Sequence, residues 1–562
     1  MATSPPRGWL GEAPPPASPW MEPLMIPPPL PVCAALVAVA VAAVAWCAAL
    51  AAEWAWLRPR RLGRALRAQG LRGTAYRPLA GDAPLADRLA RVARSLPLPP
   101  GCHAVVPRAM PLFHHAMEQH GKTSMTWSGP VPMVTVAEPE LVRQVLSNKF
   151  GHFKKVGFGQ LQRLLHNGVS SHEGDKWARH RRIIKPAFHL DKLKGMLPAF
   201  ASCCADLVSR WEGLLVAGAG DGEACEVDVW PEMQRLTGDV ISRAAFGSSY
   251  LEGRRIFQLQ EEQVRLAMLI ANKIHIPGYI MLPTRTNRRM KRIAAEIEGI
   301  LRGMIAKRER GLRAGEATGD DLLGLMLESN MEQSGEGGGG GMGMSTDDVI
   351  GECKMFYFAG METTSILLTW TMIVLSMHPE WQHRAREEVL RVFAGAGDGD
   401  GAPPDYNSLG RLKIVTMVLY EVLRLYTPLP AVHRRTYKPM ELGGVKYPAG
   451  VTLVLPLLWI HHARDVWGPD ADEFRPERFA EGVAGASGGG GQHQQPAAFF
   501  SFGGGPRTCV GQSFALLEAK MGLAMILLSF EFELSPSYSH APFPAPLLRP
   551  EHGAQVKLRK LA

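Results

Sequence analysis

The stretch Phe502-Gly-Gly-Gly505-Pro-Arg507-Thr-Cys509-Val-Gly511 carries the most information about fold and chemistry in this sequence. Its four glycines and one proline predict an unusual loop whose backbone other groups can approach closely. Residues 512–530, directly after the loop, have the composition of an apolar helix. Cys509 therefore stands just before a helix N-terminus, where backbone N–H groups and the helix dipole stabilise a thiolate.

A lone thiolate on such a loop, without partner histidine or cysteine ligands, fits one open-faced metal group, namely haem iron. Arg507, two residues before the cysteine, could pair with a haem propionate. The alternative is a buried structural cysteine behind a glycine-rich turn. The entire pattern F-x-x-G-x-R-x-C-x-G favours the metal ligand over that alternative.

The ten-residue pattern resembles the haem-binding signature of the cytochrome P450 monooxygenases. The resemblance implies a mostly α fold with small β-sheets (α+β), the cytochrome P450 fold. It also implies haem b as the cofactor, with Cys509 as its axial metal ligand and with Arg507 and Phe502 as cofactor-binding residues. The resemblance covers the chain from the N-terminal apolar segment to the C-terminus, with its elements in order.

Residues 345–378 are predicted to form one helix, about 50 Å long at about 1.5 Å per residue. Ser345 and Asp348 form a capping pair at its start. Its middle contains Ala359-Gly-Met-Glu-Thr-Thr364, where glycine and consecutive threonines weaken the helix and leave room for a ligand. A kink with surface hydroxyls is the alternative interpretation.

This segment is similar to the oxygen-binding element of the same family. The resemblance implies that Thr363 hydrogen-bonds the iron-bound dioxygen and that Glu362 relays protons from solvent. Both are therefore predicted catalytic residues.

Three further residues are predicted to bind the cofactor. Trp177 and Arg181 lie four positions apart on one helix and match the family's W-x-x-x-R element, which implies that both reach a propionate. Arg434 stands where the family places another propionate-binding arginine, and Arg435 is a less favoured substitute. For Trp177 and Arg181 the alternative is an ordinary amphipathic helix.

Glu421 and Arg424 are three residues apart on a predicted helix and therefore share a face. On their own they are typical of a surface ion pair. The later segment Phe474-Arg-Pro-Glu-Arg-Phe479 matches the family's partner segment, and the resemblance implies a buried charge triad of Glu421, Arg424 and Arg478. Such a triad positions the chain more than it stabilises it.

The N-terminal part of the chain predicts a membrane anchor. Residues 32–52 are apolar and uncharged, and at about 1.5 Å per residue they span about 30 Å, the thickness of a bilayer core. Trp54, Trp56 and then seven arginines up to residue 77 follow. By the positive-inside rule the body of the chain is cytosolic, which predicts a single-pass protein of the endoplasmic reticulum membrane. A cleaved signal peptide is the alternative.

The predicted division of the chain is a disordered Pro-rich N-terminus 1–31, a transmembrane anchor 32–57, a basic linker and membrane-proximal segment 58–107 and a haem-thiolate monooxygenase domain 108–562. Met21 or Met25 could be the true start. Three Gly-rich segments, 334–343, 394–404 and 482–495, are predicted to be solvated loops.

The amino-acid composition excludes several classes of protein. Hydrophobic residues make up 46% of the 562 and charged residues 20%, which excludes a disordered chain. The net charge of +9 is spread too thinly to indicate nucleic-acid binding. Eight cysteines without C-x-x-C exclude a disulfide scaffold, a zinc finger and covalent c-type haem, and the absence of H-E-x-x-H excludes a zinc protease.

The resemblance implies a membrane-anchored monooxygenase that inserts one oxygen atom of O2 into an apolar small molecule of the terpenoid, hormone or xenobiotic class. NADPH would act only through a partner, NADPH–cytochrome P450 reductase, with cytochrome b5 as a second candidate. A basic segment offers a docking site for an acidic flavoprotein: Arg179, Arg182, Lys185, Lys192 and Lys194. The segments 177–189 and 532–542 resemble the plant clan that includes secologanin synthase. A haem-thiolate isomerase or dehydratase and a non-enzymatic haem-binding membrane protein are the alternatives.

Overall fold

The computed structural model describes residues 30–148, 151–157, 160–165, 167–218, 224–247, 250–271, 278–315, 321–335, 343–394, 404–486 and 498–561. These residues fall into two compact units, one up to Leu57 and one from Arg58 onward. The first unit consists of helix α1, Leu30–Ala52, and a π-helical turn, Glu53–Leu57.

The second unit is mostly helical, with short strands. Its helices are α2 Arg58–Arg67, α3 Ala83–Arg94, α4 Val106–Ala109, α5 Pro111–His120, α6 Pro139–Ser147, α7 Gln160–Leu165, α8 Gly174–Ile184, α9 Leu190–Gly218, α10 Val229–Phe246, α11 Tyr250–Ala271, α12 Arg285–Ala314, α13 Leu322–Gly335, α14 Thr346–Met377, α15 Pro379–Ala394, α16 Tyr406–Arg411, α17 Lys413–Leu425, α18 Leu457–His461, α19 Arg464–Trp467, α20 Gly482–Ala486 and α21 Gln512–Ser529, with 3-10 turns at Lys185–Phe188, Tyr279–Met281, Pro476–Phe479 and Gly505–Arg507. Its strands are β1 Arg72–Gly73, β2 Ser124–Ser128, β3 Val131–Thr135, β4 Phe153–Lys155, β5 Cys225–Asp228, β6 Val432–Thr436, β7 Met440–Leu442, β8 Val445–Tyr447, β9 Thr452–Leu455, β10 Phe530–Leu534, β11 Pro542–Pro544, β12 Leu548–Pro550 and β13 Gln555–Lys560.

Helix α14 is the central element of the helical core. It packs against α10, α17 and α21, and most of its side chains are buried because it is apolar on all faces. Ser345 and Asp348 cap it reciprocally: Asp348 N donates to Ser345 Oγ at 3.2 Å, and Ser345 N donates to Asp348 Oδ2 at 3.3 Å. The predicted long helix and its capping pair are thus confirmed.

The largest sheet has six strands in the order β1-β2-β3-β9-β6-β4. The β1–β2 and β3–β9 pairs are parallel, and the other pairs are antiparallel. A three-stranded sheet, β10-β13-β5, and two hairpins, β11-β12 and β7-β8, complete the strands of the described residues. The predicted mostly α fold with small sheets is therefore confirmed.

Within the part of the chain that the structure describes, three helices are long and apolar enough to cross a membrane: Ala34–Arg67, Thr346–Met377 and Gln512–Ser529. The second and third are 72% and 56% buried inside the protein, so their apolar character is explained by the core. The most apolar 18-residue window of the first has no buried residue, and this helix lies near the N-terminus. It is the candidate anchor.

Two predicted segments differ from expectation. Residues 58–107, expected to be a basic linker and membrane-proximal segment, contain α2, β1, α3 and the start of α4. Helix α2 buries Pro59, Gly63 and Leu66, and α3 packs against α5 with half-buried side chains. The segment 482–495, expected to be a loop, begins with the short helix α20, and its residues 487–495 lie outside the described residues. Residues 336–342 and 395–403 of the other two predicted loops also lie outside them.

Candidate functional site

The cysteine loop has the close-approach backbone that its glycines predict. Gly503 and Gly505 have φ values of 76° and 65°, in the region that favours glycine. A Cβ atom on Gly505 would stand 2.5 Å from the carbonyl oxygen of Leu146, so only glycine fits there. Cys509 N donates to the Phe502 carbonyl at 2.9 Å and closes the loop just before α21 begins.

The Cys509 side chain is accessible although protein atoms surround it. Burial raises the pKa of its thiol, whereas a backbone hydrogen bond at Gly511 and the positive charge of Arg181 lower it. Among the described cysteines outside α1, Cys509 is the one whose side chain is exposed. A metal ion bound to this thiol would deprotonate it outright.

Four cations lie in or near this loop: Arg507 belongs to it, Arg181 contacts it, and two more are close to Arg507. Arg507 Nη2 donates to Glu173 Oε2, and the Arg507 guanidinium lies 4.5 Å from the centre of the Trp177 ring. Arg181 Nη2 donates to the Thr508 carbonyl at 2.8 Å. Arg507 Nη1 is buried and has no hydrogen-bond partner among the described residues. This orphaned donor indicates that an acceptor is missing from its surroundings.

Lys155 and Arg434 supply the other two cations, which face each other in the register of β4 and β6. Burial and the charges of Arg507 and Arg434 lower the pKa of Lys155 to about 7. Burial and Arg507 lower the pKa of Arg434 to about 10. Lys155 N also donates to Glu173 Oε1 at 2.8 Å. Lys155 and Glu173 were not among the predicted site residues, because no local motif marks either of them.

We call Lys155, Arg181, Arg434 and Arg507 the cation cluster. The neighbour Arg435 is not a member, since its pKa is lowered by burial and by Arg58 instead. Lys155, Arg434 and Arg507 share one carboxylate, Glu173; burial is the main cause of their lowered pKa values, and the neighbouring positive charges add to it. A ligand that carries two carboxylates, as haem b does, would neutralise the cluster and satisfy Arg507 Nη1.

The middle of α14 passes close to α10. A Cβ atom on Gly360 would stand 2.7 Å from Ile241 Cδ1, so glycine permits the approach of the two helices. The Thr363 hydroxyl donates to the Ala359 carbonyl one turn earlier, at 2.7 Å. This side-chain hydrogen bond, hereafter the back-bond, competes with the backbone hydrogen bonds of the helix, as expected for a threonine inside a helix.

Glu362, next to Thr363, is a half-buried acid with few partners. Burial raises its pKa to about 7, and the positive charge of Arg549 partly opposes that rise. Gln234 Nε2 donates to its Oε1 at 3.4 Å. A carboxyl group with a pKa near 7 can both give and accept a proton at neutral pH.

Two residues of the predicted charge triad, Glu421 and Arg424, form a buried ion pair on α17, and Arg478 lies on the 3-10 turn Pro476–Phe479. Arg424 Nε and Nη2 donate to the two oxygens of Glu421, both at 2.7 Å, and neither side chain is exposed. Arg475 N donates to Glu421 Oε1 at 2.9 Å. Arg478 Nε is 3.5 Å from the same oxygen and pairs more closely with Asp470, at 2.8 Å. The third member is therefore the loosest.

Comparison with known proteins agrees with this geometry. A sequence profile described as Cytochrome P450 matches residues 104–558. The chain belongs to the cytochrome P450 family. Cytochrome P450 CYP72A616 of Paris polyphylla is 55% identical over 527 residues, which cover 94% of this chain and 99% of that protein. Cytochrome P450 72A11 of Arabidopsis thaliana is 48% identical over 93% of this chain and 98% of its own length. The 11-oxo-beta-amyrin 30-oxidase of Glycyrrhiza uralensis is 48% identical over 90% and 94%.

Membership confirms several predictions from the sequence. The chain is a plant cytochrome P450, and the predicted clan of secologanin synthase fits its relatives. It is an oxidoreductase of the monooxygenase class whose cofactor is haem, with iron held by a cysteine thiolate. Cytochrome P450 enzymes generally receive electrons from NADPH through a redox-partner reductase and act on apolar substrates.

Proposed function

We propose that this cytochrome P450 binds haem through Cys509 and inserts one oxygen atom of O2 into an apolar small molecule. The accessible thiol of Cys509 beside the cation cluster is the observation that carries the proposal. Arg507, Arg181, Arg434 and Lys155 would hold the propionates, with Trp177 packed under the Arg507 guanidinium. Phe502, half-buried in the cysteine loop, would pack against the macrocycle.

When bound, haem supplies the one-electron and O2 chemistry, and the thiolate favours O–O cleavage. The side chains of this protein supply binding, proton transfer and exclusion of water. Glu362 and Thr363 are adjacent on α14, and we propose that they pass protons from solvent to the reaction site. The Thr363 hydroxyl can leave its back-bond to Ala359 when a better acceptor is present.

Substitution of Glu362 by glutamine is expected to lower product formed per NADPH consumed by roughly tenfold, because an amide cannot exchange a proton at the required rate. Since its folded pKa is about 7, wild-type turnover should change between about pH 6 and 8. Glu362→Gln should lack that step. The measurement is product and NADPH against pH in the reconstituted system, with the exposed Glu380→Gln as control.

The raised pKa of Glu362 also makes the stability of the folded protein depend on pH. A carboxyl group whose folded pKa is raised from 4.5 to about 7 favours the folded state most below pH 4.5, and its contribution is lost as the pH rises through 7. Glu362→Gln should therefore flatten the pH dependence of the melting temperature in this range. An unchanged pH profile of both turnover and melting would remove Glu362 from the relay.

The substrate is proposed to be an apolar molecule of the terpenoid, hormone or xenobiotic class. The relative from Glycyrrhiza uralensis acts, by its name, on 11-oxo-beta-amyrin. The segments that the resemblance implies as substrate walls are 156–169, 355–364, 429–433 and 541–545, of which residues 158, 159 and 166 lie outside the described residues. They are rich in Leu, Phe and Pro, which suits an apolar ligand.

The proposal is tested with the full chain in microsomes that also contain an NADPH–cytochrome P450 reductase. A panel of apolar compounds that includes 11-oxo-beta-amyrin should give products heavier by one oxygen atom, only with NADPH and O2. Turnover without NADPH would instead support the isomerase or dehydratase alternative. Bound haem without NADPH-dependent turnover on any compound would support the non-enzymatic alternative.

We also propose that α1 anchors the protein in the endoplasmic reticulum membrane, with the second unit in the cytosol. The helix is apolar and unburied, and Arg58, Arg60, Arg61, Arg64 and Arg67 follow it directly. The basic docking segment is largely accessible: Arg182, Lys185, Lys192 and Lys194 are exposed, whereas Arg179 is half-buried. An acidic reductase, or cytochrome b5, held on the same membrane would meet this surface at high effective concentration.

Arginine substitutions in the middle of α1 are expected to release the protein from membranes. Each arginine at the centre of a span costs about 2.5–3.5 kcal/mol on insertion scales, so Val41→Arg with Val44→Arg should move most of the protein from the carbonate-washed pellet to the supernatant. Leu96→Arg is the matched control, because Leu96 is 75% exposed and lies outside α1. Retention of the double variant in the pellet would contradict the anchor.

A further inference from the structure

A second group of metal-ligand side chains lies outside the cysteine loop and the cation cluster. His180 is on α8, His172 precedes that helix, and Asp348 is in the first turn of α14. One donor atom from each lies within 4.8 Å of the other two. His180 Nε2 and Asp348 Oδ1 are 3.8 Å apart, and the two imidazole rings meet edge to face with centres 4.5 Å apart.

Both histidines present an unused nitrogen to this group. His180 is fully buried and His172 is 8% exposed. The Nε2 atoms of both rings have no hydrogen-bond partner among the described residues. An unsatisfied buried nitrogen destabilises the fold, so two of them in one place indicate a common partner.

Neighbouring side chains orient the His180 imidazole in the way that is typical of metal-bound histidines. Glu352 Oε1 lies 2.5 Å from His180 Nδ1, and Glu352 Oε2 accepts a hydrogen bond from Val169 N at 2.9 Å. A proton on Nδ1 that is donated to this carboxylate leaves the lone pair of Nε2 free. A carboxylate behind a histidine is the usual outer support of zinc-binding imidazoles. His172 is held in turn by a hydrogen bond to the backbone at Asn167.

The two carboxylate oxygens of Asp348 make different contacts. Oδ2 accepts the Ser345 N–H of the helix cap, and Oδ1 faces the imidazoles. Lys176 Nζ lies 2.6 Å from Oδ1, which shows that this position attracts a cation. The Lys176 side chain is 41% exposed, so its ammonium can turn into solvent when a divalent ion takes its place.

We propose that His172, His180 and Asp348 form a zinc site, with water as the fourth ligand and Glu352 as the positioning residue of His180. Two imidazole nitrogens and one carboxylate oxygen are ligands that zinc accepts, and donors around tetrahedral zinc are about 3.3 Å apart. The 3.8 Å between His180 Nε2 and Asp348 Oδ1 is about 0.5 Å longer than that value. The ion joins α8, which carries Trp177 and Arg181, to α14, which carries Glu362 and Thr363.

Zinc content tests this site directly. The haem-loaded full chain, without a histidine tag, is dialysed against micromolar zinc sulfate, and bound zinc is measured against haem iron by elemental analysis. We expect one zinc per haem in wild type, a loss of at least tenfold in affinity in His172→Gln and Asp348→Asn, and a loss of 10- to 100-fold in Glu352→Gln. Lys176→Met should instead bind zinc several-fold more tightly, because the competing ammonium is gone.

Two controls keep the outcome interpretable. Asp347→Asn makes the same charge change on the adjacent residue, which is exposed and pairs with Arg302, and His383→Ala removes an exposed histidine. Both should bind zinc as wild type does. The ferrous–CO spectrum of each variant reports whether the haem site is intact, so a misfolded variant is recognised and Lys176→Met remains as the test. Unchanged zinc affinity in Asp348→Asn and Lys176→Met, or no stoichiometric zinc in wild type, overturns the site.

Discussion

Serine in place of Cys509 is expected to abolish monooxygenase turnover and to remove the red-shifted Soret band of the ferrous–CO complex. Serine offers no thiolate, so the electron donation that favours O–O cleavage is lost. A loss of roughly a thousandfold in rate corresponds to about 4 kcal/mol of barrier. The measurement pairs the ferrous–CO difference spectrum with product formation by the reconstituted full chain.

Cys225→Ser is the matched control, because Cys225 is half-buried and lies on β5, away from the cysteine loop. It should keep both the spectrum and the turnover. Haem bound to Cys509→Ser with the band of a histidine-ligated or unligated iron agrees with the assignment. An unchanged red-shifted band in Cys509→Ser would falsify Cys509 as the axial ligand.

Removal of Arg424 is expected to have the largest effect on stability. In Arg424→Met, Glu421 would remain fully buried without its bidentate partner, which costs about 3–5 kcal/mol. The carbonyls of His461 and Ala471, which each accept from Arg424 Nη1 at 2.6 Å, would also lose their donor. Since whole domains are stable by only about 5–15 kcal/mol, little folded holoprotein should accumulate. Thermal unfolding followed at the Soret band measures the loss.

Arg384→Met provides the comparison, because Arg384 pairs with Glu477 at 3.1 Å while both side chains are about half exposed. Such a surface pair contributes about 0–1 kcal/mol, so this variant should melt close to wild type. Arg424→Met combined with Glu421→Leu should be more stable than Arg424→Met alone, since the unpaired charge is gone. Equal melting of Arg424→Met and Arg384→Met would show that the buried pair has no structural role.

The local sequence determined the features that depend on neighbours in the chain. The glycine pattern before Cys509 predicts a close-approach loop and a following helix, and both are present because positive φ values and an apolar helical period are local properties. The same holds for the capped helix α14 and for the shared face of Glu421 and Arg424. The spacing of these residues along the chain specifies their geometry without any contact from distant parts of the chain.

Tertiary structure alone decided which distant residues join the site. Lys155 enters the cation cluster through the register of β4 with β6, and successive strand residues point to opposite faces, so a shift of one residue would select Arg435 in place of Arg434. Glu173 meets Arg507 across 334 residues of chain, and Glu352 meets His180 across 172. Contacts of this kind form only when helices and strands that are far apart in the chain pack against each other. Their stabilisation comes from burial in the folded protein, so no local sequence pattern encodes them.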